Sequence, residues 1–81
     1  MTLVPLYGFV AGDTLGVLVL VHDVDTIAEV ARVAQAAAAV RVEPRAHARV
    51  LARGVVLDPR LTVAAAGLVP LDRIDVVAEE R

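Results

Sequence analysis

The side chains able to do chemistry in this chain are few. Ser, Cys, Lys, Asn and Trp are absent altogether. A serine or cysteine nucleophile and a Schiff-base lysine are therefore excluded. The densest group of metal-ligating types is His22-Asp23-Val24-Asp25. A transition-metal site needs three or four convergent ligands. The same four residues serve as a turn and a helix entry, with Asp25 facing the positive end of the helix dipole, and the sequence favours that second reading. His47 reads as an exposed loop or strand residue, not as a catalytic base. No two carboxylates have a spacing that argues for acid–base work. The five glycines are scattered and build no phosphate-cradling loop. The sequence thus offers no catalytic, cofactor-binding or metal-ligating residue of its own.

Arg45, Arg49 and Arg53 are separated by even intervals, so on a strand they can share one face with His47. Two readings stand: a solvated strand face, or a set of contacts to acidic residues of a partner, for which the bidentate guanidinium is well shaped. A nucleic-acid stripe would want interleaved aromatics, and Tyr7 and Phe9 are the only ones in the chain. The net charge of −2 points the same way, so no nucleic-acid partner is expected.

The elements that must position these residues follow from periodicity and punctuation. Residues 3–10 read as a strand, with Pro5 favouring an edge or a strand start. Ala11-Gly12-Asp13 is a turn signal, and the Val- and Leu-rich residues 14–21 complete a hairpin. Thr26-Ile27-Ala28-Glu29 has the form of a capping box, in which Thr26 accepts from the third helical N–H and Glu29 reaches back. The predicted helix covers residues 27–39. Its inward stripe is Ile27, Val30, Ala31, Ala34 and Ala38, with Glu29, Arg32 and Gln35 toward the other side. Pro44 excludes helix from the next stretch. Residues 48–53 form a third strand, Gly54 a turn and residues 55–57 a short fourth strand. Residues 62–66 allow one helical turn closed by a left-handed Gly67. Residues 74–78 make the last strand. This order predicts an α+β, ubiquitin-like β-grasp fold over a single domain, residues 1–81. The sheet is mixed, of four to five strands, with one main helix packed across one face.

That plan has too little interior for its own side chains. The chain has 81 residues and is 58% hydrophobic, with a mean hydropathy of +0.70, well above the usual apolar share of a domain. No cysteine is available for a stabilising disulfide. A membrane span would need about 20 continuous apolar residues, and the uncharged runs stop sooner, at His22-Asp23 and at Arg32 and Arg41. No membrane partner is expected. The N-terminus lacks a basic n-region, and with no cysteine this fits the cytoplasm.

The surplus concentrates in two strands. Leu15, Val17, Val19 and Val21 point one way, while Leu18 and Leu20 point the other. In the last strand Ile74, Val76 and Ala78 oppose Asp75 and Val77. One helix covers one face, and a sheet with a wet far face should alternate apolar and polar. The second face, with Leu18, Leu20 and Val77 of one parity, is therefore either a partner surface or a generously apolar wall of an ordinary monomer. The first reading accounts for the shared parity. Self-association of the isolated chain through that face is the corresponding hazard.

Asp25-Thr26-Ile27-x-x-Val30 at a helix start resembles ubiquitin. Arg41-Val42-x-Pro44-Arg45, then Arg49-Val50, resembles the small B (gamma) subunit of toluene and alkene monooxygenases. So does Thr62-x-Ala64-x-x-Gly67-Leu68-x-Pro70, followed by Ile74-Asp75-Val76-Val77-x-Glu79-Glu80. The resemblance covers nearly the whole chain and is closer from Arg41 onward than in the hairpin and helix. It implies a ubiquitin-like, non-catalytic subunit that docks on the larger α and β chains of a multicomponent hydroxylase. The di-iron centre, which oxidises aromatic hydrocarbons or alkenes, lies in the α chain. Leu18, Leu20, Val77, Arg45, Arg49 and Arg53 are then the candidate interface. A free-standing ubiquitin-like adaptor, for instance of a secretion apparatus, is the competing reading. The tail Ala78-Glu79-Glu80-Arg81 lacks the Gly-Gly end of ubiquitin and the sulfur carriers, so conjugation and sulfur transfer are not expected.

Overall fold

The computed structural model describes residues 1–79. The reading of the tail at Glu80 and Arg81 lies outside the described residues. β1 (Leu3–Val10) and β2 (Val17–His22) form an antiparallel hairpin in which Leu6 opposes Val19 and Tyr7 opposes Leu18. β2 starts three residues later than its apolar run predicts. Leu15 donates its N–H to Asp13 Oδ1 at 3.1 Å, which curls the chain away from β1. Gly16 lies under the Phe9 ring, where an added Cβ would sit 2.9 Å from Cε2. Leu15 is therefore an exposed loop residue and not part of the inward row.

α1 (Ile27–Ala38) crosses one face of the sheet. Thr26 caps it by accepting from Glu29 N–H at 3.2 Å. The reciprocal half of the capping box does not form, because the Glu29 carboxylate is held by Arg32 at 2.6 and 2.9 Å. The inward stripe Ile27, Val30, Ala31, Ala34 and Ala38 is buried as predicted. Gln35 is a correction: it is only 8% exposed. It lies on the flank of the helix where the returning segment 43–47 passes, and it bonds the backbone there.

After that segment come β3 (Ala48–Ala52), β4 (Val55–Val56) and β5 (Arg73–Ala78). Arg53 and Gly54 both take positive φ, 52° and 77°, the conformation of a two-residue turn that matches the strand twist. Arg53 thus belongs to the turn and not to the strand predicted to contain it. Gly67, at φ 77°, closes residues 62–66. Its N–H donates to the Ala64 carbonyl at 3.0 Å, and the Leu68 N–H to the Val63 carbonyl at 3.2 Å. That pair of bonds is the glycine-terminated helix-end motif.

The sheet order is β2-β1-β5-β3-β4, with β1 and β5 parallel and all other pairs antiparallel. One core lies between this sheet and α1: Leu6, Val19, Val21, Val50, Ile74 and Val76 from the strands meet Ile27, Val30 and Ala34 from the helix. The architecture is α+β, a β-grasp. Among the described residues no helix is long and apolar enough to cross a membrane.

Candidate docking surface

A strand side chain that faces α1 is buried, so its neighbours in sequence face away. In β1 the core residues are Val4, Leu6 and Val10, which leaves Leu3, Pro5, Tyr7 and Phe9 on the open face. In β2, Val19 and Val21 face inward and Leu18 and Leu20 outward. Register completes the patch: Leu20 lies opposite Pro5 and Leu18 opposite Tyr7. Leu18, Leu20 and Tyr7 are 55%, 52% and 50% exposed. The β2–β1 half of the open face is thus mostly apolar from Leu18 and Tyr7 to Leu20 and Pro5, with His22 beside Leu3 at its end and no helix over it.

The other half is mixed. Val77 lies on the open face of β5, as expected, but half-buried beside Arg49 of β3. Between the halves the Arg73 guanidinium sits 4.2 Å from the centroid of the Phe9 ring and 3.1 Å from Asp75 Oδ1. Of the three arginines predicted to share a strand face, only Arg49 does. Arg45 precedes β3, where the Gln35 amide grips its backbone. Arg53 stands on the turn, 3.6 Å from Asp72. The Arg49 Nε is enclosed, and among the described residues nothing accepts from it.

The His22–Asp25 cluster is occupied by backbone. Asp25 Oδ2 accepts from His22 N–H at 2.8 Å, and Asp23 Oδ1 from Thr2 N–H at 2.9 Å. Among the described residues no three His, Asp or Glu side chains converge on a metal position. The Asp13 side chain is enclosed, 1% exposed. Both its oxygens accept from Arg41 at 2.8 Å. That guanidinium holds the carboxyl below its ordinary range. The contact staples the β1–β2 loop to the end of α1.

Sequence reasoning passed over two features. Leu3 and Tyr7 join the open-face patch, and the odd parity of β1 is the signal that places them there. A groove of about 490 Å³ between α1 and the β3–β4 side is lined by Ile27, Ala31, Arg45, His47, Val50 and Leu57. It depends on the path of segment 43–47, which has no periodicity to read.

A family model for toluene-4-monooxygenase system protein B (TmoB) matches residues 3–77. A chain of a solved toluene 4-monooxygenase HD complex with the inhibitor 4-bromobenzoate is 30% identical, with a TM-score of 0.88 over 96% of this chain and 100% of that one. Ubiquitin from Caldiarchaeum subterraneum superposes with a TM-score of 0.74 at 16% identity, over 98% of this chain and 96% of its own, a likeness of fold alone. No curated protein sequence matches.

Proposed function

This chain belongs to the toluene-4-monooxygenase system protein B family, and on that premise we propose that it is a non-catalytic subunit of a multicomponent di-iron hydroxylase. It docks through its open sheet face on larger hydroxylase subunits that oxidise aromatic hydrocarbons or alkenes. The observation that carries this reading is the exposed apolar cluster of Leu18, Leu20 and Tyr7 on the face opposite α1. A contiguous patch of that kind on a small domain is the signature of a protein interface. Arg49 supports it: it stands on the same open face beside Val77, and a guanidinium there suits a carboxylate of the partner. Iron chemistry belongs to the partner α subunit, and the role of this chain is to complete the assembly. Arg45 and Arg53, set off the face, contribute at its margin.

The test is co-expression with the α and β hydroxylase chains. The expected result is a stoichiometric complex and greater solubility than the lone chain has. An α/β hydroxylase that assembled fully and turned over at full rate without this chain would contradict the proposal. No observation favours the free-standing adaptor, because the likeness to ubiquitin extends only to the fold.

A further inference from the structure

The backbone of β2 has one side committed and one side open. Thr2 accepts from Asp23 N–H at 2.8 Å, which fixes the odd residues of β2 as those that bond β1. The even residues Leu18, Leu20 and His22 therefore aim their N–H and C=O groups away from the sheet. His22 is satisfied locally: its N–H donates to Asp25 Oδ2 at 2.8 Å, and its carbonyl accepts from Asp25 N–H at 3.0 Å. Among the described residues nothing bonds the outward groups of Leu18 or Leu20.

Proteins usually blunt such an edge with charge, proline, a bulge or very short length. Val17–Val21 carries none of these. The opposite edge, β4, is only two residues long. β2 is therefore the undefended edge of this sheet.

We propose that the outer edge of β2 is a strand-addition surface, and that its occupant is a second copy of this chain, paired antiparallel about Val19. The sequence Val17-Leu18-Val19-Leu20-Val21 reads the same in both directions. An isologous two-fold contact sets each residue against its mirror position about the axis, so this segment meets itself with like apolar residues opposed and no charge at any of its positions. Leu18 opposes Leu20 of the second copy, and the two exchange both backbone hydrogen bonds. Val19 opposes Val19 at the axis, and Val17 opposes Val21. His22 falls opposite Gly16, so the register sets no like charges against each other. The axis runs perpendicular to the sheet, which puts both α1 helices on one side. The two apolar open faces then form a single wide surface on the other. The pairing does not depend on the hydroxylase reading, since it uses main-chain groups of the edge.

The test uses the full chain alone. Sedimentation equilibrium from about 10 µM to about 1 mM, the range of weak association, is expected to raise the mass from 8.5 kDa toward twice that value. Amide exchange at Leu18 and Leu20 is expected to slow about tenfold in the concentrated sample. Leu18→Pro removes an outward N–H and takes nothing from the β1 ladder. It is expected to stay monomeric with an unchanged circular dichroism spectrum. If that variant does not fold, Leu20→Lys, which places a charge at the edge, gives the same readout. Tyr7→Asp alters the open face away from the edge and should leave the dimer intact. A constant monomer mass over the whole range would overturn the proposal. So would a dimer in which the Leu18 and Leu20 amides exchange as fast as in dilute solution. Loss of hydroxylase binding by Tyr7→Asp with the dimer retained separates this pairing from the docking face.

Discussion

Gln35 grips the backbone of Arg45 at two points: its Oε1 accepts from the Arg45 N–H at 2.7 Å, and its Nε2 donates to the Arg45 carbonyl at 3.3 Å. One amide thereby holds the irregular segment 43–47 against α1 and sets where β3 begins. Removing it leaves two backbone groups of a partly enclosed loop without partners. Gln35→Ala is expected to cost about 1–3 kcal/mol of stability, measured by urea unfolding. Faster amide exchange at Arg45 than at Val50 would locate the loss.

The two faces of the sheet should answer differently to mutation. Leu20→Thr, on the open face, is expected to change stability by less than about 0.5 kcal/mol and to make the isolated chain more soluble. Ile27→Ala, at a site 1% exposed, should cost about 2–5 kcal/mol through the cavity it leaves. Equal losses from the two variants, in the same unfolding assay, would mean that Leu20 is part of the interior.

Gly8 occupies a core-facing position of β1 beside Val19, and a Cβ there would lie 2.8 Å from Val19 Cγ2. Gly8→Ala is expected to destabilise by about 1–3 kcal/mol through overpacking. Val19→Ala in the same chain should recover part of that loss, and a double-mutant cycle reads the coupling.

The pH dependence follows from the carboxylates paired with arginine. Arg41 holds Asp13 below its ordinary range, and Arg32 and Arg60 do the same for Glu29 and Asp58. Each folded-state pKa is thus lower than the unfolded one. The pairing contributes fully above the ordinary carboxylate range, near about pH 4, and is lost as pH falls through the lowered values. Thermal unfolding should therefore show a midpoint that drops in acid below about pH 4. Arg41→Gln should lower the midpoint at neutral pH and flatten part of that acid slope.

The fold was legible because most of its determinants are local. Strand β1 matches its apolar run in full, and the stripe of α1 lies at the predicted residues. The left-handed Gly67 closes its turn as the glycine signal implies. What the sequence hides are competitions decided by distant groups. Glu29 satisfies the capping pattern but finds Arg32 a better partner. Gln35 looks solvent-facing until segment 43–47 passes beside it. Residues 14–16 have strand composition, yet the Asp13 carboxylate and the Phe9 ring turn them out of the sheet. The same holds for the candidate surface. Parity alone puts Leu18, Leu20 and Val77 on one face. Even spacing of Arg45, Arg49 and Arg53 does not, because β3 includes only Arg49.

The claim that this open face meets the hydroxylase is tested most directly by titrating purified α/β hydroxylase with the wild-type chain and with the Tyr7→Asp/Leu20→Asp double variant in a calorimeter. The account predicts stoichiometric binding of the wild type and a loss of affinity of about 100-fold or more in the variant, the scale of two central apolar anchors, with its folded spectrum unchanged. Equal affinity of the two chains would contradict it.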